Sequence, residues 1–320
     1  MLKDEILLKQ YESYFNDKDK IKKFMDRNKD FRVPAYYDNI FKLLFNDKDF
    51  TSIFLSHFIG LDAGEIKKTM LYKNVEGEYI NNKHKGYIAD LIIELDNYVI
   101  LLECNKEKRS AIINKNLHTF RGMCYNTVVK GASEKIENYK HCILISLDNY
   151  DSFKQNKIQT KGKYLDVESK IELINNETIY FINLDLVRRK MYNTIDKTKL
   201  NAYEKALMLI VVSPRSLAKE IVKGDKIMES VNAKLDNYTF DIDNLMMSAQ
   251  MVLENGLRHE FRREGIKEGI KKGTKENKIN VAKNMIRRTN LDDKAISECT
   301  DLSIDYITKL RLEYNNKTLE

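Results

Sequence analysis

Two apolar segments joined by a two-residue turn constrain the fold of this chain more than any other feature. Residues 87–95 and 98–104 are rich in β-branched and other apolar side chains, and Asp96-Asn97 lies between them. Strand-forming segments that flank such a pair of turn residues are typical of a β-hairpin. The pattern therefore predicts two antiparallel strands.

The segments after the hairpin alternate between helical and strand patterns. A polar helix is predicted at about residues 109–129, followed by apolar strands at 142–147 and 178–184. Hairpin and crossover connections together predict an α/β fold, with a mixed central sheet flanked by helices. Along the chain we predict an N-terminal helical segment at 1–33, an α/β domain at 34–240, a basic helix at 241–290 and a helix-turn-helix-like element at 291–314.

Composition limits the class of protein. The 320 residues carry 55 Lys and Arg against 48 Asp and Glu, a net charge of +7 that tolerates a polyanionic partner without proving one. The four cysteines are widely spaced, which predicts neither a disulfide framework nor a zinc site. The N-terminus lacks the apolar stretch of a signal peptide, and no segment approaches the length of a membrane span, so we expect a soluble, cytoplasmic protein without a membrane partner.

Two carboxylates lie inside the predicted hairpin. Because side chains alternate along a strand, Asp90 in the first strand and Glu103 in the second can converge on one face. A carboxylate buried among apolar residues is costly unless a cation or hydrogen bonds compensate. Mg²⁺ (or Mn²⁺) is the natural compensation, and the pair predicts a metal site for phosphodiester cleavage, in which Asn105 would orient the attacking water. Solvated or ion-paired carboxylates are the alternative.

Several short motifs carry a family resemblance. Residues 38–45 match a D-x-x-F-K-x-L-F helix, and the same order continues with Gly86-x3-Asp90, Glu103-x-Asn105, Arg121-x3-Tyr125, Gly131 and the strand at 143–145. With the C-terminal Gly-x3-Gly helix and the last helical pair, they span about residues 31–312. In this order and spacing the chain resembles the PD-(D/E)XK nuclease family transposases, a group of recombination-promoting nucleases.

The resemblance implies a restriction-endonuclease-like fold and a Mg²⁺-dependent DNA endonuclease linked to mobile elements and DNA recombination. It implies that Asp90 and Glu103 bind the metal and that double-stranded DNA is the partner. Asp38 matches the acidic residue of the family's first helix, where it is either a further metal ligand or a helix N-cap.

Asn105 departs from the family pattern, which usually has Gln there where the wider superfamily has Lys. Lys106 and Lys108 follow directly and are candidates for the missing cation, so Lys106 joins the catalytic set. Because of this departure, the alternative function is a DNA-binding or oligomeric interaction protein whose nuclease site has decayed.

A basic segment near the C-terminus is the main candidate for DNA contact. Residues 251–290 contain 11 Lys and Arg against 5 Asp and Glu, and Gly265, Gly269 and Gly273 recur on one helical face. This pattern predicts DNA binding or a homo-oligomer formed through the helix, with a solvated helix or a flexible linker as alternatives. The candidate DNA-binding residues are Arg262, Arg263, Lys267, Lys271 and Lys272, together with Arg121 and Tyr125 unless these two pack on the sheet.

Overall fold

The computed structural model of the chain divides into two units, Met1–Met251 and Val252–Glu320. The residues it describes are 3–73, 76–77, 87–108, 111–127, 139–192 and 196–317. Within these ranges, no helix has the length and apolar composition that crossing a lipid bilayer requires.

The strands follow one another along the first unit. They are β1 (Leu71–Lys73), β2 (Glu76–Gly77), β3 (Tyr87–Ile88), β4 (Leu91–Glu94), β5 (Tyr98–Asn105), β6 (His141–Asp148), β7 (Gln159–Leu165) and β8 (Glu172–Asn183). Six of them form one sheet in the order β1-β4-β5-β6-β8-β7, while β2 and β3 pair separately. β5, β6 and β8 are parallel neighbours, and the remaining pairs in the six-stranded sheet are antiparallel. The predicted α/β fold with a mixed sheet is therefore confirmed.

Helices precede, interrupt and follow this sheet. They are α1 (Lys3–Glu12), α2 (Lys18–Arg27), α3 (Asp38–Asn46), α4 (Lys48–Ile59), α5 (Ala63–Thr69), α6 (Ile112–Thr127), α7 (Leu184–Met191), α8 (Ala202–Val211), α9 (Arg215–Val222), α10 (Lys226–Phe240), α11 (Ile242–Arg288), α12 (Asp293–Thr300) and α13 (Ile304–Lys317), with a short 3-10 helix at Lys197–Lys199.

The α6 helix connects β5 to β6 and covers one face of the sheet. Its apolar side chains recur at helical spacing, and Phe120 and Met123 pack in one core with Leu101 of β5 and Leu144 of β6. On the opposite face, the ring of Phe58 from α4 meets Tyr180 of β8 edge to face, with ring centroids 4.8 Å apart. The central strands of the sheet are thus buried between helices on both sides.

The predicted hairpin is confirmed with one difference in its first strand. β4 and β5 pair antiparallel, with Leu91 opposite Leu102 and Glu94 opposite Val99. The ladder begins only at Leu91, because Tyr87–Ile88 pairs with β2 and the chain leaves the strand at Asp90. This break matters for the site described below.

Two buried arginines tie the segment after α2 to α9 and α10. Arg215 Nη1 donates to Asp236 Oδ1 at 2.9 Å, and Arg32 Nη1 lies 3.5 Å from the same oxygen. Arg32 also donates to Asn232 Oδ1 at 2.7 Å, and Arg215 donates to the carbonyl of Phe31 at 3.1 Å. Burial lowers the pKa of Arg32 to about 10, against the opposing effect of Asp236. Two buried cations therefore share one carboxylate.

The two edges of the six-stranded sheet differ in length and sequence. β1 contains only three residues and ends in Lys73. β7 carries two exposed lysines, Lys161 and Lys163, and its pairing with β8 is irregular between Gly162 and Leu165. The polar sequence of β7 explains why no strand was predicted there.

The second unit contains most of α11 and the two helices after it. Ala282 and Ile286 of α11 form an apolar core with Ile296 of α12 and with Ile307 and Leu310 of α13. α12 and α13 are two consecutive helices within the predicted segment 291–314 and beyond it, and their buried side chains pack against α11.

Candidate active site

The hairpin register brings the two predicted carboxylates together. Ile92 lies opposite Leu101, so the same alternation places Asp90 across from Glu103 on the face that α6 covers. Asp90 Oδ2 accepts a hydrogen bond from the backbone N–H of Cys104 at 2.8 Å. The break before β4 thus holds the Asp90 carboxylate against the strand that carries Glu103.

Glu103 is a buried carboxylate whose two oxygens differ in their contacts. Its side chain is 0% exposed, and Oε2 lies 3.3 Å from the ammonium of Lys115. Oε1 has no hydrogen-bond partner among the described residues. Burial and the negative charge of Asp90 raise the pKa of Glu103 to about 8, while Lys115 acts in the opposite direction. A buried acceptor of this kind is costly unless a cation or proton compensates it.

Burial and neighbouring positive charges also act in opposite directions on the pKa of Asp90. Burial raises its pKa, against the hydrogen bond from Cys104 and the positive charges of Lys115 and Lys42. The negative charge of Asp38 raises it further, which places Asp38 within electrostatic reach of the pair.

Asp38 lies in the first turn of α3 and is not its N-cap. The N-cap is Tyr37, which makes no capping side-chain bond, and Asp38 Oδ1 lies 3.2 Å from the ammonium of Lys42 one turn on. The structure therefore leaves the proposed metal contact of Asp38 open and does not support the capping alternative.

Lys115 is the cation that sequence reasoning missed. It lies in the first turn of α6, the helix that leaves the carboxyl end of β5, and it is the one lysine in that helix. A signal was present, because a crossover helix begins near the end of the strand it follows and brings its first turn close to that strand's last residues. Lys106 was predicted to be this cation instead, because it directly follows Asn105 in the sequence.

Lys106 lies beside other partners. Its ammonium is 2.5 Å from Glu12 Oε1 and 4.4 Å from the ring centroid of Tyr37, and the neighbouring Lys108 is exposed. The structure does not bring Lys106 to the carboxylate pair.

Asn105 is bound into a separate polar network. Its amide Nδ2 donates to Asp148 Oδ1 at 2.8 Å and to Ser146 Oγ at 3.1 Å, and both acceptors belong to the neighbouring strand β6. Asn116 of α6 donates to the same Ser146 oxygen at 3.0 Å. Burial raises the pKa of Asp148, against the hydrogen bonds from Ser152, Ser146 and Asn105. None of these partners was predicted, because they depend on the β5–β6 pairing.

The predicted DNA-contacting residues on α6 face away from the core. Arg121 is exposed and interacts electrostatically with Glu177 of β8, and Tyr125 is 60% exposed. The alternative in which both pack on the sheet is not what the structure shows.

The basic C-terminal segment is helical in α11. Lys271 is exposed, and an added Cβ at Gly269 or Gly273 would meet open space. This chain's own packing therefore does not require glycine at those two positions. The side chains of the other candidates lie outside the described residues: Arg262, Arg263, Lys267 and Lys272.

The donor set at the carboxylate pair fits a hard divalent cation. Two carboxylates, one with an unsatisfied buried oxygen, are the ligands that Mg²⁺ takes from proteins when substrate and water complete its shell. Within the described ranges, no three His, Cys, Asp or Glu side chains are placed to hold one ion together. The fit therefore rests on the pair Asp90 and Glu103.

Compared with protein-family models, with curated protein sequences and with solved structures, the chain gives no match.

The raised pKa of Glu103 predicts a pH-dependent stability. Between about 4.5, its ordinary value, and about 8, folded Glu103 keeps a proton that the unfolded chain loses. The free energy of unfolding of metal-free protein should therefore fall as pH rises through this window, and Glu103→Gln should flatten that slope. Mn²⁺ should raise the melting temperature more at pH 8 than at pH 6, since the ion binds the carboxylate. Thermal unfolding with and without the ion measures both; equal slopes for the two proteins contradict the assignment.

Proposed function

We propose that this protein is a metal-dependent DNA endonuclease that hydrolyses phosphodiester bonds. The observation that carries the proposal is the pair of the half-buried Asp90 and the fully buried Glu103. One Glu103 oxygen has no hydrogen-bond partner among the described residues, and the Lys115 ammonium lies 3.3 Å from the other. Buried titratable groups with strongly perturbed pKa values concentrate at functional sites. Two carboxylates and a cation at one strand end form a donor set suited to a metal ion and a phosphate.

The roles of the residues follow from this geometry. Asp90 and Glu103 would hold the ion, which when bound supplies Lewis acidity and a more acidic attacking water. The hydrogen bond from Cys104 N–H keeps Asp90 in place. Lys115 offsets the negative charge of Glu103 and is available to stabilise charge on a scissile phosphate.

The finer assignment to a PD-(D/E)XK core and to DNA rests on the motif resemblance. The order of elements supports it, because an antiparallel hairpin carries both acids and a helix then leads to a parallel strand. Arg121 and Tyr125 offer an exposed cation and an exposed ring on that helix, which suits contact with double-stranded DNA. Action on cytoplasmic DNA, in recombination or in the movement of mobile elements, belongs to the same proposal.

A second candidate function is DNA binding without cleavage. Asn105 favours it, because both hydrogens of its amide group are directed to Ser146 and Asp148 and cannot orient a water molecule. On this alternative the carboxylate pair is the remnant of a decayed site.

Supercoiled plasmid incubated with purified protein separates the two functions. We expect nicking with Mg²⁺ or Mn²⁺ and none with a chelator. Lys115→Met should reduce the nicking rate about tenfold or more, on the scale of losing one electrostatic group at a reacting centre. Lys106→Met is the matched control and should retain the rate, since Lys106 contacts Glu12.

The contrary outcomes of this assay are distinct. A salt-dependent gel shift without nicking under any metal condition would favour the binding protein. A normal rate for Lys115→Met together with a reduced rate for Lys106→Met would exclude Lys115 from the site.

A further inference from the structure

The orientation of the Asn105 amide is fixed by its neighbours. Asp148 Oδ1 accepts from Asn105 Nδ2 at 2.8 Å and Asp148 Oδ2 accepts from Ser152, so neither oxygen of this carboxyl group acts as a donor. Ser146 directs its one hydroxyl hydrogen to the same Asp148 oxygen at 2.7 Å, so Ser146 Oγ also accepts from Asn105. The amide nitrogen must therefore face β6, and the amide oxygen cannot exchange places with it.

The same network is stabilised from the loop after β6 and from the covering helix. Ser152 donates to the second oxygen of Asp148, and Asn116 of α6 donates to Ser146 at 3.0 Å. Asn105, Asn116, Ser146 and Asp148 are all buried. Asn116 Oδ1 has no hydrogen-bond partner among the described residues, whereas Asn105 Nδ2 donates to both Ser146 and Asp148. Two directed hydrogen bonds to one strand hold the Asn105 carboxamide in a single orientation.

The amide oxygen of Asn105 is what remains for a ligand. Asn105 and Glu103 lie two residues apart on the same face of β5, at the carboxyl end of the strand. Because the nitrogen points to β6, the oxygen lies on the side of the carboxamide turned away from β6, and β4 with Asp90 borders β5 on that side. Amide oxygens are hard ligands that bind Mg²⁺ and Mn²⁺ alongside carboxylates.

We propose that Asn105 binds the divalent cation through its amide oxygen, as a third protein ligand beside Asp90 and Glu103, and that Ser146 and Asp148 are positioning residues that hold this orientation. The inference rests on the proposed function, because it uses the same metal site. This role differs from the one predicted from the sequence, in which the Asn105 amide orients the attacking water. Here the amide oxygen binds the metal, and the N–H groups donate to Ser146 and Asp148.

A charge swap across the network tests the proposal. The double variant Asn105→Asp with Asp148→Asn keeps the total charge and the hydrogen bond between the two positions while it places a carboxylate at 105. Mn²⁺ affinity, measured by calorimetry or electron paramagnetic resonance without DNA, should tighten about tenfold in the swap variant. Asn105→Leu, which lacks the oxygen, should weaken it about tenfold.

The outcomes separate this inference from the proposed function. If wild-type protein binds Mn²⁺, Glu103→Gln abolishes binding, and both Asn105 variants bind as wild type does, Asn105 is not a ligand and the metal site stands. If wild-type protein does not bind Mn²⁺, both proposals fail. If the Asn105 variants lose nicking with unchanged Mn²⁺ affinity, the N–H groups act on water and the inference is overturned. Thermal unfolding of each variant tests whether it folds, which distinguishes a change in affinity from a loss of structure.

Discussion

Glu103→Gln is expected to reduce plasmid nicking by about 100-fold or more, the scale of removing one preorganised electrostatic group from a reacting centre. The substitution preserves the size of the side chain and removes the charge that a divalent ion needs. Glu103 is fully buried and its pKa is raised to about 8, so an uncharged side chain should not destabilise the metal-free protein near neutral pH. Loss of activity with retained stability is the result expected if Glu103 binds the catalytic metal.

Asp90→Asn and Glu94→Gln complete this experiment. Asn at position 90 retains an oxygen to accept the Cys104 N–H, so it should lose nicking to a similar extent while the hairpin stays intact. Glu94 lies at the far end of β4 from Asp90 and pairs with Lys140 and Lys73, so Glu94→Gln should keep the wild-type rate. Nicking that survives both Asp90→Asn and Glu103→Gln would show that the activity belongs to another site.

Asp236→Asn is expected to lower the free energy of unfolding by about 3–5 kcal/mol, the cost of leaving a buried charge without its partner. Arg32 and Arg215 both approach the Asp236 carboxylate, and all three side chains are buried. The neutral amide would leave two guanidinium groups close together without that counter-charge. Urea unfolding followed by circular dichroism measures the change.

The matched control is an exposed ion pair in the same unit. Lys67 and Asp49 lie 2.5 Å apart with side chains 46% and 42% exposed, so Lys67→Ala should change stability by about 1 kcal/mol or less. Equal effects of Asp236→Asn and Lys67→Ala would mean that water reaches the arginine pair.

The sequence was informative where local pattern determines structure. β5 and β6 coincide with apolar runs, and the helical motif at residues 38–45 lies in α3. Asp47 ends α3 and caps α4, because its side chain accepts hydrogen bonds from the backbone N–H groups of Asp49 and Phe50. The convergence of Asp90 and Glu103 also followed from alternation along a hairpin, because its register depends on residues close in the chain.

Features that depend on distant pairing could not be predicted in this way. Lys115 reaches Glu103 because a crossover helix folds back over the sheet, and Asn105 meets Asp148 because β5 and β6 are parallel neighbours. Alternation gives the face on which a side chain lies and leaves its partner on the next strand undetermined. The prediction of Lys106 failed for the same reason. Lys106 is closer to Glu103 in the sequence, but the fold brings Lys115 to Glu103 and Lys106 to Glu12.

The two edge strands of the sheet affect whether copies of this chain can associate by intermolecular strand pairing. An open edge strand offers unpaired N–H and C=O groups to any other extended chain. Here β1 is too short to template a long pairing, and β7 combines Lys161 and Lys163 with an irregular register. Since charge and irregularity both oppose strand addition, self-association through the sheet is disfavoured, and the apolar strands that carry the carboxylates stay shielded from intermolecular β-pairing at high concentration.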